Sequence, residues 1–219
     1  MPPPLAGHGH KLALALAAIL CACPLSTIAS SNTIAECFSD NNERRIAGCT
    51  DLIQTPSLDP GTKSLAYAMR ALALSLNGAL SEALPDYDMA IKLDPGSAMA
   101  LNNRAWVLYK LDRLSDSMSD VERSLRFAPG SPHAYDTRAH IHQALGERTA
   151  ALRDYEQAMR FGGEHLVKLY QCGLEAQGIY SGPIDGLYTR KVRQALEVCV
   201  TRSACDPLPA DEECRAATS

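Results

Sequence analysis

Apolar and small residues recur through the middle of the chain at a spacing of 34 positions. Between residues 64 and 163 the same order of bulky, small and apolar residues appears three times, as Tyr87, Ala90 and Ile91, as Val121, Ser124 and Leu125, and as Tyr155, Ala158 and Met159. Turn residues repeat with them, as Asp94-Pro95-Gly96, Ala128-Pro129-Gly130 and Gly162-Gly163. Because an irregular helical bundle does not produce a constant register, the pattern indicates a repeat architecture.

Each unit has the features of two antiparallel helices. Small residues recur 12 positions apart within a unit, as Ala71 and Ala83, Ala105 and Ser117, and Ala139 and Ala151. Two helices can approach closely only where both carry small side chains. Gly78, Asp112 and Gly146 lie between the two members of each pair and mark the break between the helices. The sequence therefore predicts three helical hairpins over residues 62–163.

This pattern resembles the tetratricopeptide repeat over about 100 of the 219 residues. As in that family, a large residue (Tyr67, Leu101 or Tyr135) is followed four positions later by a small one, and a proline ends the unit. The resemblance implies an all-α solenoid whose first helices line a concave face. It implies a protein-binding groove at the inner positions Asn102, Asn103, Trp106, Tyr109, Lys110, Asp136, His140 and Gln143. A core-packing role remains an equal alternative for Trp106, the single tryptophan.

Two charges share the period. Arg70, Arg104 and Arg138 occupy one register, and Asp86, Asp120 and Asp154 occupy another, 16 positions later in every unit. A guanidinium on the first helix facing a carboxylate on the second forms a bidentate pair that fixes the helix crossing. We predict these three structural ion pairs rather than an anion-binding stripe, because a ligand stripe would not need its counter-charge at the same period.

The amino-terminal residues have a different composition. His8, His10 and Lys11 precede an unbroken apolar run from Leu12 to Leu20, and small residues follow Pro24. This order predicts a signal peptide over residues 1–29 that is cleaved near Ala29, and hence a periplasmic or secreted protein without a membrane span after cleavage. Two alternatives remain, a lipoprotein acylated at Cys23 and an uncleaved anchor. Residues 30–61 then form a degenerate helical cap and linker, with helices over 33–38 and 43–54.

After Gly163 a second pattern follows in residues 164–219. Its residues include Tyr170-Gln171, Gly178-Ile179-Tyr180, Gly182-Pro183-Ile184-Asp185-Gly186 and Ala195-Leu196. They resemble the small helical peptidoglycan-binding domain found at the ends of cell-wall hydrolases. The resemblance implies a glycan-binding edge at Tyr180, Asp185, Gly186 and Tyr188, while the alternative is that Asp185 shapes the turn and the tyrosines cover a small core. Thr189 and Cys199 depart from the family pattern, so the fold is supported more strongly than glycan binding.

Six cysteines follow the predicted cleavage site, an even set that implies disulfides in an oxidising compartment. Because the repeat block separates two of them from the other four, local pairing is favoured. A bridge from Cys37 to Cys49 would close the cap. In the second pattern Cys199 replaces a family core aromatic and Cys172 lies on the preceding helix. We therefore predict the pairs Cys172 with Cys199 and Cys205 with Cys214.

The remaining chemistry of the sequence is sparse. The net charge of −4 without a basic stripe makes nucleic acid an improbable partner. His133, His140 and His142 do not share one metal-binding face, and no catalytic or cofactor motif is present, so we expect no metal, no cofactor and no enzymatic activity. The sequence predicts an exported envelope scaffold for protein interactions, tethered to peptidoglycan by its last module. The alternatives are a structural solenoid with a non-binding cap and an accessory subunit of a cell-wall hydrolase.

Overall fold

The computed structural model describes residues 31–202, 204–208 and 214. This part of the chain forms helices and no strand, and consecutive helices pack as antiparallel pairs. The helices are α1 (Ser31–Cys37), α2 (Asn42–Ile53), α3 (Pro60–Leu76), α4 (Leu80–Leu93), α5 (Ala98–Lys110), α6 (Leu114–Phe127), α7 (Pro132–Ala144), α8 (Arg148–Ala176) and α9 (Arg190–Cys199). None of these helices is long and apolar enough to span a membrane. The predicted signal peptide and Cys23 lie outside the described residues.

The predicted hairpins are α3 with α4, α5 with α6, and α7 with the first half of α8. The small residues that define each crossing are fully buried. At the middle crossing the Ser117 hydroxyl donates a hydrogen bond of 2.6 Å to the carbonyl oxygen of Ala105 on the facing helix. A serine is therefore tolerated where the other units carry alanine, because its hydroxyl has a partner. The predicted all-α, helical-hairpin solenoid is confirmed.

The turns inside the three hairpins share one backbone conformation. Gly78, Asp112 and Gly146 have positive φ angles of 80°, 59° and 76°. This left-handed conformation ends a helix and is readily adopted by glycine, whereas other residues adopt it at a cost. Asp112 therefore adopts, at an energetic cost, the conformation that Gly78 and Gly146 adopt freely at the equivalent positions.

Side-chain caps begin the first helix of each hairpin. Asp59, Ser97 and Ser131 each accept a hydrogen bond from the backbone N–H three positions later. Pro60 and Pro132 occupy the first turns of α3 and α7, where a missing N–H costs nothing. These local signals set where each repeat starts.

Helix α8 contains a break at Gly163, whose φ and ψ of 65° and −160° are not helical. Past this break the repeat register continues, because Tyr170 and Gly173 lie 34 positions after Asp136 and Ala139. The Tyr170 hydroxyl donates a hydrogen bond to the Asp136 carboxylate, which joins the second half of α8 to α7. The second half of α8 is therefore a fourth first-helix of the solenoid, where the sequence pattern indicated that the period stops.

The amino-terminal cap consists of α1 and α2, linked by a disulfide between Cys37 and Cys49. The two helices approach so closely that a Cβ atom on Gly48 would lie 2.5 Å from the backbone nitrogen of Cys37. Gly48 and the disulfide therefore bring a short helix against α2 where a full repeat would supply more apolar contact.

The disulfides at the other end of the chain differ from the predicted pairs. Cys199 is bonded to Cys205, with a Cα–Cα distance of 5.3 Å, and Cys172 is bonded to Cys214, with a distance of 6.0 Å. Consecutive turns after α9 cause this, since Arg202 N–H bonds to the Cys199 carbonyl and Cys205 N–H bonds to the Arg202 carbonyl. The chain turns back on the end of α9, and Cys172 is left to pair with Cys214.

Candidate functional site

The structure brings each repeated arginine onto the aspartate of its own hairpin. The guanidinium groups of Arg70, Arg104 and Arg138 make bidentate contacts, with shorter N–O distances of 2.6 Å in every pair and longer ones of 2.7, 2.8 and 2.9 Å. The three aspartates are buried. The hydrogen bond to the aspartate raises the pKa of each arginine and outweighs desolvation, which lowers it. The paired charges therefore hold the two helices of each hairpin together, as the sequence predicts.

Two of these arginines also reach the preceding hairpin. The Nη1 atom of Arg70 donates to the Thr50 hydroxyl at 3.1 Å, and Nη1 of Arg104 donates to Asp88 at 2.7 Å. A planar guanidinium can make such contacts in several directions at once. The ion pairs thus fix the crossing within a hairpin and the stacking between neighbours, which keeps the first helices aligned.

The first helices α3, α5, α7 and the second half of α8 form what we call the inner face. A pocket of about 580 Å³, which we call the groove pocket, opens on this face between α3 and α5 and reaches the start of α7. Its wall is largely apolar. The lining residues used below are Leu76, Tyr87, Met99, Asn102, Asn103 and Trp106.

Two buried polar atoms in the wall of the groove pocket have no hydrogen-bond partner in the described part of the chain, the hydroxyl of Tyr87 and Oδ1 of Asn102. Tyr87 faces Ser75 and Asn103 without a hydrogen bond of normal geometry. Burial raises the pKa of Tyr87 to about 12, so its hydroxyl keeps the proton and can donate. Buried polar groups normally have partners, so these two side chains hold a donor and an acceptor that lack one, just behind the surface of the pocket.

Apart from the half-buried Gln143, the predicted groove residues fall into two groups. Asn103, Trp106 and Tyr109 are partly exposed and Lys110 is exposed, with its Nζ atom 5.5 Å from the Trp106 ring centre. Asp136 and His140 are buried, which corrects their prediction as exposed groove positions, and Asn102 is buried in the pocket wall. Register alone placed all three on the inner face, but at the third repeat other groups cover that face.

The cover is the segment after α9, residues 202 and 204–208, which we call the tail segment. The Gln143 amide donates to the carbonyl oxygens of Arg202 and Cys205, both at 2.9 Å. The Gln177 amide donates to the carbonyl oxygen of Asp206, and Nε2 of His140 lies 3.1 Å from Oδ1 of Asp206. The inner face of the third repeat thus contacts the chain's own backbone and one of its carboxylates.

Both ring nitrogens of His140 face acceptors. Nδ1 lies 2.9 Å from the carbonyl oxygen of Asp136, and Nε2 faces Asp206. Because neither acceptor can donate a proton, the doubly protonated imidazolium satisfies both contacts. Desolvation lowers the pKa of His140, but the nearby carboxylates of Asp136 and Asp206 outweigh it and raise the pKa to about 9. His140 is therefore a buried cation.

The two carboxylates respond in opposite directions. Burial, the largest effect, raises the pKa of Asp136, although His140 and the Tyr170 hydroxyl act against it. Burial also raises the pKa of Asp206, but the hydrogen bond and the charge of His140 outweigh burial, so the pKa of Asp206 is lowered. Asp206 therefore stays ionised beside the imidazolium.

Three of the four predicted glycan-binding residues, Tyr180, Asp185 and Gly186, lie around the fully buried side chain of Gln171. Gln171 Nε2 donates to Oδ1 of Asp185 at 2.9 Å, and its Oε1 accepts from the N–H of Gly186 at 2.8 Å. Tyr180 is only 5% exposed, and its hydroxyl donates to the carbonyl oxygen of Pro183 at 3.0 Å. Because Tyr180 and Gly186 are buried and Asp185 is bound to Gln171, the prediction of an exposed edge at these three residues is corrected: they shape and close their own loop.

Tyr188 differs from the other three. Its side chain is 44% exposed, and its hydroxyl donates to Glu156 at 2.7 Å. Burial of the ring and the hydrogen bond to Glu156 raise its pKa. The ring borders a crevice of about 510 Å³ whose other residues include Arg190, Arg193 and Glu197.

Several residues of the site are absent from the predicted set, and only some of them have a signal in the sequence. Gln171 and Gln177 continue the registers of Thr137 and Gln143, so extending the period past Gly163 would have placed them on the inner face. Tyr87 occupies the bulky position of the repeat, and nothing in its spacing shows that its hydroxyl lacks a partner. Asp206 lies in a non-periodic segment and carries no signal. Within the described residues, no group of three His, Cys, Asp or Glu side chains could hold a metal ion.

The family comparison agrees with the geometry of the last repeat. The profile of the tetratricopeptide repeat family matches residues 133–167, which cover α7 and the first part of α8 past its break. A comparison with curated protein sequences found no significant match. The fold is thus a tetratricopeptide-like helical solenoid that ends in a small disulfide-linked helical part. Repeats of this family are generally non-catalytic scaffolds for protein–protein contacts.

Proposed function

We propose that this protein is an interaction scaffold that binds an extended peptide segment of a partner protein in the groove pocket. The observation that carries this proposal is the open, largely apolar groove pocket, whose lining residues Tyr87 and Asn102 each keep an unpartnered polar atom just behind the surface, where a small side-chain shift would expose it. A peptide bond offers both matching groups, a carbonyl that accepts from the tyrosine and an N–H that donates to the amide oxygen.

The apolar part of the wall favours a bulky apolar side chain on the bound segment. Leu76 and Met99 are 63% and 40% exposed at the pocket although both are large and apolar. Covering such side chains releases water, and two well-placed hydrogen bonds then fix the direction of the bound chain.

A displayed library of random peptides tests this proposal. Selection on the folded, oxidised protein should enrich peptides with a bulky apolar residue, and calorimetry should give dissociation constants for the winners. Leu76→Glu should weaken binding by about tenfold or more, because it puts a charge in the apolar wall. Leu187→Glu is the matched control, since Leu187 is 61% exposed and lies outside the pocket.

The polar pair needs its own variant. Asn102→Leu removes the unpartnered acceptor with little change of volume, and it should weaken peptide binding while leaving the thermal midpoint unchanged or higher. If the selected peptides bind Leu76→Glu and Asn102→Leu as tightly as the original protein, the groove pocket is not the binding site.

We further propose that the protein works outside the cytoplasm. The three disulfides among the described residues support this location, because such bonds persist in oxidising compartments. Expression with and without residues 1–29, followed by fractionation and amino-terminal sequencing, tests export and the cleavage site near Ala29. Protein that stays in the cytoplasm with an intact amino terminus would contradict this part of the proposal.

The proposal of a peptidoglycan tether rests on Tyr188 and its crevice. An exposed ring beside charged and polar groups suits a sugar, which stacks on aromatic faces and forms hydrogen bonds around them. Co-sedimentation of the whole chain with purified sacculi should decrease with Tyr188→Ala and be retained with Leu187→Ala. Absence of co-sedimentation at low salt would leave the carboxyl-terminal part as a cap of the solenoid.

A further inference from the structure

The inner face of the third repeat holds the tail segment as a scaffold protein holds a peptide. Gln143 and Gln177 donate to three main-chain carbonyl oxygens of the segment. His140 contacts the carboxylate of Asp206. The glutamines come from the same register of neighbouring first helices, one period apart. Equivalent positions of two repeats therefore bind one stretch of backbone.

The carboxylate site, which we call the Asp206 site, is built around a cation. The His140 side chain is 4% exposed, and its ring centre lies 5.3 Å from those of Trp106 and Tyr155 and 5.8 Å from that of Tyr109. These three rings meet the imidazole edge to face and exclude water from it. By contrast, the Asp206 side chain keeps 48% of its surface exposed. The cation is fixed in the solenoid, and the carboxylate approaches from the solvent side.

The Asp206 site is continuous with the groove pocket. Trp106 lines the pocket and also contacts His140, and the exposed Lys110 ammonium lies over the Trp106 ring. A peptide leaving the pocket along the inner face towards α7 would next meet Lys110 and then His140. Both side chains favour an acidic group at that point.

We propose that the Asp206 site is a carboxylate-binding subsite of the groove, and that the tail segment occupies it as an intramolecular competitor of an acidic segment in the partner. This inference rests on the proposed peptide-binding function. It adds that the partner carries Asp or Glu on the α7 side of its apolar anchor. The Cys199–Cys205 bond keeps the tail close to the site, so the tail rebinds at a high effective concentration and a partner must displace it.

The test uses the whole oxidised chain and a fluorescein-labelled peptide with the sequence of residues 202–208, in which serine replaces cysteine. Asp206→Asn weakens the chain's own tail by removing a charge-assisted hydrogen bond. The peptide should therefore bind this variant about tenfold more tightly than the original protein, as measured by fluorescence anisotropy. A peptide carrying Asn in place of Asp should not bind Asp206→Asn more tightly than the original protein. The Asp206→Asn, His140→Gln double variant should likewise not bind the Asp peptide more tightly.

Two readouts keep these outcomes interpretable. Circular dichroism checks that each variant is folded, and Trp106, the only tryptophan, reports tail release by fluorescence because its ring contacts His140. Asp206→Glu serves as a conservative variant that retains the charge and should bind the peptide weakly, like the original protein. Equal binding of the Asp and Asn peptides, or no binding to Asp206→Asn when Trp106 reports release, would overturn the proposal.

The groove pocket is tested separately from the Asp206 site. Leu76→Glu should not change binding of the tail peptide to Asp206→Asn, since Leu76 lies at the other end of the inner face. If Leu76→Glu abolishes binding of the library peptides but not of the tail peptide, the substitution affects the groove pocket alone. The reverse result would leave the proposed function standing and remove the carboxylate subsite.

Discussion

The hydroxyl group of Tyr170 donates a hydrogen bond to the carboxylate of Asp136, which lies 34 positions earlier in the chain. One repeat length separates the two residues, so the contact joins equivalent positions on neighbouring first helices. The carboxyl-terminal helical part is therefore packed in the register of the solenoid. For this reason the binding experiments above use the whole chain and not a fragment beginning after Gly163.

The first prediction concerns the periodic ion pairs. Arg104→Met should lower the free energy of unfolding by about 2–4 kcal/mol, because it leaves the buried carboxylate of Asp120 without its bidentate partner. Urea denaturation followed by circular dichroism measures this change. The matched control is Arg113→Met, since Arg113 pairs with Asp116 on the surface, where side chains are 52% and 56% exposed. That change should cost less than about 0.5 kcal/mol.

The double variant Arg104→Met, Asp120→Leu separates pairing from desolvation. Replacing both charges with apolar side chains removes the unpaired carboxylate, so most of the stability lost in the single variant should return. A double variant as unstable as the sum of the single ones would show that the pair contributes no coupling.

The second prediction concerns the left-handed turns. Asp112→Gly should raise the free energy of unfolding by up to about 1 kcal/mol, because glycine adopts the φ of Asp112 without the Cβ clash. Gly78→Ala is the reciprocal change at the equivalent position. No atom lies within 4 Å of a Cβ built on Gly78, so backbone strain alone should make this variant about 1 kcal/mol less stable. Thermal melts that show the same sign for both variants would contradict the argument.

The third prediction concerns the titration of His140. Asp136 and Asp206 raise the pKa of His140 from 6.5 to about 9. A raised histidine pKa means that its stabilising effect is fully present below pH 6.5 and is lost as pH rises through about 9. We expect a loss of about 2–3 kcal/mol across this window, with Trp106 fluorescence changing in step.

The groups around His140 support this assignment. Tyr109, Tyr155 and Tyr170 have pKa values raised by burial, so they stay neutral while His140 titrates, and Lys110 acts on Asp206 from α5. Ring resonances of His140 followed by NMR give its pKa directly. Asp206→Asn should lower that pKa, and an unchanged value in this variant would show that the tail carboxylate does not stabilise the imidazolium.

The fourth prediction concerns the disulfides. Peptide mapping of oxidised protein without reduction should recover Cys37 with Cys49, Cys172 with Cys214, and Cys199 with Cys205. Replacing Cys37 and Cys49 together by alanine should lower the free energy of unfolding by about 2–4 kcal/mol, because the bridge restricts the unfolded chain. Recovery of a Cys172–Cys199 peptide would contradict the arrangement of turns after α9.

The spacing of residue types is sufficient to predict the repeating part of the molecule. In the first unit the spacing places Ala71 opposite Ala83 and Arg70 opposite Asp86. The 34-residue period repeats both contacts in the other two units. The hairpin is a local structure whose contacts lie within one repeat, so a pattern of residue types at fixed spacing is enough to place them. The register also predicts the turn at Asp112, although aspartate is a weaker turn signal at this position than glycine.

What covers the inner face cannot be predicted from the spacing and depends on how distant segments pack. The burial of His140, the role of Tyr180 inside its loop and the partner of Cys172 all depend on non-periodic segments after Gly163. Where such a segment packs is set by the sum of many weak contacts between residues distant in sequence, and no spacing records that sum. The sequence placed Trp106 and His140 on one face, and the fold determined that one borders an open pocket while the other binds Asp206.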